Sequence, residues 1–167
     1  MKRLLLHACC APCACAVLER LTLDYDVTVL FFNPNIVPRE EYDKRLLELQ
    51  RFVGDAHRGV PIISTKYVQY TPESCEDCFT LRLEETAKFA VANGFDCFTT
   101  TLTLSSKKDA ELINEISADL AKKYSVERLW ADFKKADGYN RSIALCNEYG
   151  IYRQNYCGCN PKRGEEP

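Results

Sequence analysis

Long apolar runs are missing from this chain. After Met-Lys-Arg come only three leucines before His7, too short a run for the core of a signal peptide and far too short to cross a bilayer. The expectation is a cytoplasmic protein with no membrane partner. Net charge is also small. The 22 Lys and Arg against 24 Asp and Glu leave −2, so there is no global pull toward nucleic acid, and any such partner must be met by a local basic patch. Repeats, low-complexity blocks and linkers are absent, which leaves one domain over residues 1–167, with a tail expected to fray after about residue 160. Histidine is scarce: His7 and His57 each end an element, where a hydrogen-bonded structural role is the default.

Cysteine, by contrast, is plentiful, at 10 in 167 residues. A secreted miniprotein would use so many as a disulfide framework, but 46% apolar content supplies an ordinary core here. In a reducing compartment, clustered thiols point to metal or redox chemistry. Inside a hyperthermophile, disulfides would stay a live alternative.

Periodicity predicts alternating strands and helices. Strands are expected at Arg3–His7, Asp26–Phe32, Val60–Ser64, Phe95–Thr101 and Arg128–Ala131. Helices are expected from Pro12 to Leu21, Pro38 to Asp55, Ser74 to Asn93, Ser105 to Tyr124 and Tyr139 to Tyr149. Strict alternation implies right-handed crossovers and a single doubly wound parallel sheet of the α/β class.

Of three thiol groups, two fall where such a sheet puts its ligands, beyond the carboxyl ends of the strands. Cys9, Cys10 and Cys13 follow strand one. Cys75 and Cys78 open a helix that Ser74 and Asp77 can cap, spaced to share one face near a helix N-terminus that favours thiolate. Cys157-Gly158-Cys159 follows the last helix; its central glycine lets both sulfurs face one atom, although spacing does not place it on the fold. Alternatives stay open: a redox dithiol at Cys75 and Cys78, or a small tail-pinning zinc or disulfide at Cys157 and Cys159. Cys15, Cys97 and Cys146 read as core. Zinc needs four ligands, fewer than the clustered thiols available. A [4Fe–4S] cluster takes four Cys and leaves others for a second site, which Asp132 could complete with a carboxylate; a helix cap or a solvated loop charge is the plain alternative for Asp132.

Taken together these segments carry a resemblance. Leu-Leu-Leu-His-Ala-Cys-Cys-Ala-Pro-Cys at 4–13, Phe-Asn-Pro-Asn-Ile at 32–36, Cys75-x-x-Cys78-Phe79 with Arg82-Leu83, and Gly94-Phe95-Asp96 are part of it. So are Thr99-Thr100-Thr101-Leu102, Asp132-Phe133-Lys134-Lys135, Glu148-Tyr149-Gly150 and Tyr152-Arg153-Gln154-x-Tyr156-Cys157-Gly158-Cys159. The sequence resembles the cobalamin-independent epoxyqueuosine reductases, the QueH family. It departs where Ala136-Asp137-Gly138-Tyr139 replaces an expected double glycine, and at Cys146.

The resemblance implies an oxidoreductase acting on tRNA that carries epoxyqueuosine at the wobble position, removing the epoxide oxygen in the last step of queuosine synthesis. It implies a fold similar to the adenine-nucleotide α-hydrolases. With His-Ala-Cys-Cys-Ala-Pro in place of their phosphate loop, the expectation is no ATP and no cobalamin. The expected cofactors are a [4Fe–4S] cluster on Cys9, Cys10, Cys75 and Cys78, and an adjacent iron on Cys157, Cys159 and Asp132, with Cys13 in reserve. The catalytic role is expected of Asp132, Cys157 and Cys159, around an iron that acts as Lewis acid. Lys107, Lys108, Lys134, Lys135, Arg141, Arg153, Lys162 and Arg163 supply local charge for the tRNA, and Tyr139 and Tyr156 can stack on unpaired bases. The rival functions are a thiol–disulfide oxidoreductase and a zinc-stabilised RNA-binding module. The electron donor has no signature in the sequence.

Overall fold

A computed structural model describes residues 1–159; the expected fraying of the tail and the Lys162-Arg163 pair lie outside the described residues. Five parallel strands form one sheet in the order β3-β2-β1-β4-β5: β1 Lys2–His7, β2 Tyr25–Phe31, β3 Ile62–Ser64, β4 Cys97–Thr100 and β5 Glu127–Arg128. Between and after them run α1 Ala11–Leu21, α2 Arg39–Ala56, α3 Cys75–Ala92, α4 Ala110–Tyr124 and α5 Gly138–Tyr149. β1 is central, paired to β2 on one side and β4 on the other.

Strand side chains alternate between the two faces, and the core divides accordingly. Leu4, Leu6, Val27, Val29 and Phe31 pack with Val17 and Leu18 of α1, Leu49 and Phe52 of α2 and Leu145 of α5. Leu5, Leu30 and Phe98 pack instead with Phe79 and Leu83 of α3 and Ile113 and Leu120 of α4. Among the described residues, no helix is long and apolar enough to cross a membrane.

Among the boundaries that differ from the sequence reading, three have a visible cause. β4 stops at Thr100, whose hydroxyl accepts a bond from Leu102 N at 3.2 Å and turns Thr101–Leu104 into a 3₁₀ segment. α4 begins at Ala110 rather than Ser105, because Asp109 provides the N-cap, accepting from Leu112 N at 3.1 Å. β5 is short: Leu129 N still donates to Phe98 O at 2.9 Å, but Trp130 swings out to solvent and the ladder ends.

The loop before α5 explains the departure at 136–137. Ala136 and Asp137 both hold left-handed backbone, at φ 53° and 64°, where glycine sits without Cβ strain. Arg20 Nη2 donates to Lys135 O and Ala136 O at 3.2 and 2.8 Å and holds the loop in this shape. Gly138 itself is obligatory, since a Cβ there would lie 1.8 Å from Phe133 O. Ala136→Gly should therefore stabilise the chain by about 1 kcal/mol, read as a raised midpoint in urea. An unchanged or lower midpoint would mean that the left-handed alanine carries no strain.

Candidate metal centre

β1 ends between two neighbours, so the chain leaving it turns inside the sheet's carboxyl edge. His7 joins the three strand ends: Nδ1 lies 3.0 Å from Thr100 Oγ1 and Nε2 3.0 Å from Phe32 O. Burial first, then the nearby Arg82 charge, lower its pKa to about 4, so it is neutral. The structural role expected of His7 is what the hydrogen bonds give it. Ala8 and Cys10 are fully buried in the turn that follows.

That turn and the first turn of α1 bring three sulfurs together. Cys9, Cys10 and Cys13 have their Sγ atoms all within 4.8 Å of one another, with Cys9 and Cys10 3.6 Å apart. Cys9 also reaches across to β4's end, 3.8 Å from Thr101 Oγ1, and Gln154 Nε2 lies 2.9 Å from Cys10 Sγ. Cys13, a reserve in the sequence reading, is thus a full member of the trio. The hydrogen bonds from Cys10 and Cys13 hold the Cys9 thiol well below its ordinary range. The same contacts push Cys13 well up. One charge forms readily in this group; a metal must displace the remaining protons.

Cys78 is buried at the start of α3, with Cys75 exposed beside it. Ser74 caps the helix as expected, its Oγ accepting from Asp77 N at 3.0 Å. The helix end does not, however, leave Cys78 an activated thiol. Burial raises its pKa against the pull of Arg82, and the charges of Cys157 and Cys159 add to the rise. An attacking sulfur needs the opposite shift, so Cys78 is not the one that would attack.

The Cys157-Gly158-Cys159 turn is placed by a residue that the sequence reading passed over. Arg45 is 2% exposed. Its Nη1 and Nη2 donate to Cys157 O and Tyr156 O at 3.0 and 2.9 Å, while Nε pairs with Glu41 at 2.9 Å. Tyr152 OH donates to the same Glu41 carboxylate, and Tyr156 OH to Val37 O at 2.6 Å. Val37 N donates to Gly158 O at 2.8 Å. The available signal was an arginine within the apolar stripe of α2, in register with Tyr42, Leu49 and Phe52. Arg82 breaks the stripe of α3 in the same way.

The other expected site residues have contacts of their own. Asp132 accepts from Lys134 N at 3.2 Å, lies 3.5 Å from Lys134 Nζ, and lines a cavity of about 540 Å³ with Arg128, Trp130 and Lys135. Lys134 Nζ also bonds Lys108 O at 3.4 Å. Burial opposes the charge on Lys108, but Cys9, Cys157 and Cys13 outweigh it and raise its pKa. Arg141 is taken up by Glu19, at 2.8 and 2.6 Å. Lys107, Lys135, Tyr139 and Arg153 stay exposed. Cys15, Cys97 and Cys146 are buried in the core, as expected.

Whether a metal group suits this pocket can be judged from its polar accounting. Among the described residues, the buried side-chain N and O atoms without a hydrogen-bond partner belong to Asn35, Arg82 and Gln154. Each meets one of the thiol-bearing segments: Gln154 the Cys10 sulfur, Arg82 the backbone carbonyl of Cys78, and Asn35 the Gly158 turn, 3.5 Å from where a Cβ would sit. Buried polar atoms are normally satisfied, so orphans on the segments that carry a soft sulfur donor set fit a metal or inorganic group there.

The family model described as epoxyqueuosine reductase QueH matches residues 4–162. The chain belongs to the QueH family. Curated relatives in that family match most of the chain. An epoxyqueuosine reductase QueH of Staphylococcus epidermidis is 42% identical, covering 94% of this chain and 74% of its own. That of Streptococcus pyogenes is 42% identical over 93% and 68% of the two chains, and that of Thermotoga maritima 32% over 95% and 89%.

Gly158 supplies a direct check on the QueH-family turn. Its φ is 127°, and a Cβ would press to 3.0 Å from Ile36 and 3.1 Å from Arg45. Gly158→Ala should cost about 2 kcal/mol and lower metal content after reconstitution. A wild-type melting midpoint with full metal would show that the turn tolerates displacement.

Proposed function

We propose that this chain is an iron–sulfur reductase that converts epoxyqueuosine to queuosine in tRNA. The observation that carries the reading is a buried trio of thiols within 4.8 Å in a chain matched from residue 4 to 162 by the epoxyqueuosine reductase family. Removing an epoxide oxygen to leave an alkene takes up two electrons and two protons and releases water. When bound, a [4Fe–4S] cluster passes single electrons, and an adjacent iron adds Lewis acidity.

Cys9, Cys10 and Cys13 are the sulfurs we place first in the donor set. Cys75 and Cys78 are proposed to make up the cluster's four ligands with Cys9 and Cys10, Cys13 being the alternative sulfur of the trio, and Cys157, Cys159 and Asp132 to hold the second iron. Supporting this, Lys108 feels the charge of Cys9, Cys13 and Cys157 at once, and Cys78 that of Cys157 and Cys159. Arg45 holds the carbonyls of 156 and 157 so that the tail thiols stay over the sheet edge. Lys108 keeps its proton at Nζ beside the sulfurs. The reaction occurs in the cytoplasm, with an external electron donor and without ATP or cobalamin.

Cys10→Ser, on protein reconstituted without air, should remove most iron and sulfide and abolish reduction of the epoxide. Asp132→Asn should keep the visible cluster spectrum and tRNA binding but turn over slowly. Full iron in Cys10→Ser excludes that residue as a ligand, and wild-type turnover in Asp132→Asn removes the carboxylate from the chemistry.

For the tRNA, the exposed Lys107, Lys135 and Arg153, with Tyr139, are proposed as the grip; Lys134, Arg141 and Tyr156 keep the bonds described above and act through them. Lys135→Ala should lower the slope of log affinity against log salt by about 1. An unchanged slope would place Lys135 in free solvent.

A further inference from the structure

The buried cation on α3 is not explained by the fold alone. Arg82 is 1% exposed. Its Nε donates to Cys78 O at 3.4 Å and Nη1 to Asn33 Oδ1 at 3.3 Å, and Asn33 in turn donates to Ala8 O at 2.9 Å. The guanidinium thereby bridges the backbone of Cys78 to the residue preceding Cys9. Its Nη2 has no partner, and among the described residues no carboxylate lies within ion-pair distance. Arg45, the other sealed arginine, has Glu41 at 2.9 Å. A buried charge without a counter-charge is costly, and arginine cannot escape the cost by losing its proton.

The missing partner must satisfy two conditions. It has to be negative, and it has to be resident, because the unpaired nitrogen is closed to solvent. The groups in reach that can become negative are thiols: the Arg82 charge acts on both Cys9 and Cys78. Metal-bound thiolates are negative and remain in place. A cluster sulfide or thiolate sulfur also accepts the kind of hydrogen bond that Nη2 offers.

We propose that Arg82 is the counter-cation of the metal–thiolate group, spanning Cys9 and Cys78 and donating from Nη2 to that group. It is a positioning residue, acting on the charge of the site without touching the substrate. The inference rests on the metal–thiolate reading above, and its test separates the two.

Co²⁺ is titrated into the full-length, chelator-treated chain, and the thiolate-to-cobalt absorption is followed at fixed pH. Wild type should give the band. Arg82→Gln should bind about tenfold more weakly, whereas Arg82→Lys, which keeps the charge, should stay within about threefold of wild type. Thermal midpoints of the metal-free chains give the second readout. Arg82→Gln should melt at or above wild type, because it removes an uncompensated buried charge; a structural arginine would lower the midpoint and would not be replaced by lysine. A wild type without the thiolate band overturns the metal–thiolate reading itself. A wild-type band with Arg82→Gln unaffected, with Arg82→Lys as weak as Arg82→Gln, or with a lowered metal-free midpoint overturns the counter-cation alone. If Arg82→Gln does not fold, Arg82→Lys decides: near wild-type affinity supports the role, and about tenfold loss overturns it.

Discussion

The site depends on how the central strand ends. β1 is flanked on both sides, so the segment after His7 has to turn in a space already closed by β2, β4 and α1. Ala8, Ala11 and Ala14 are small enough to pass through it, and all three are buried. The cysteines between them are consequently held in a medium where a lone charge is expensive. Three thiols packed within 4.8 Å in such a place share one proton-exchange system. A soft, multiply charged group is the natural occupant, because it exchanges several thiol protons for one set of bonds.

The surrounding cations follow from the same constraint. Arg45 and Arg82 each occupy the apolar face of a long helix, where a hydrocarbon would normally sit. Arg45 resolves its charge with Glu41 and spends both remaining nitrogens on the backbone of the C-terminal turn. That fork ties residues more than a hundred positions apart and brings Cys157 to the edge that carries Cys9. The residues with orphaned atoms, Asn35, Arg82 and Gln154, each meet a thiol-bearing segment. A zinc-stabilised binding module would use four of these thiols and leave such an accounting open. In a redox dithiol at Cys75 and Cys78 the exposed Cys75 would have to be the attacking sulfur, since burial makes Cys78 a poor nucleophile.

The elements legible beforehand are those with a local cause. Ser74 was recognisable as a cap because its bond to Asp77 N spans only three residues. β2 was recognisable because both its faces are covered and its apolar run is continuous. The misplaced boundaries have causes of longer range or of finer chemistry. α4 was read as starting at Ser105, and Asp109 proved the stronger cap. β5 ends early because Trp130 leaves the sheet for the surface. Asp132 could be placed after β5, but not its engagement with Lys134.

By itself, then, the order of residues determined a parallel α/β sheet, the helices that cover it, and two of the three thiol segments at its carboxyl edge, since periodicity and capping act within a few residues. Tertiary structure alone decided which sulfurs meet. Cys13 joins Cys9 and Cys10 because the first turn of α1 folds back over the end of β1. The Cys157 turn reaches that edge because a buried guanidinium on α2 donates to the carbonyls of Tyr156 and Cys157. Such contacts depend on the crossing of elements far apart in the chain, and the energy that fixes them, the cost of an unpaired buried polar group, has no local signature except an arginine standing where a leucine is expected.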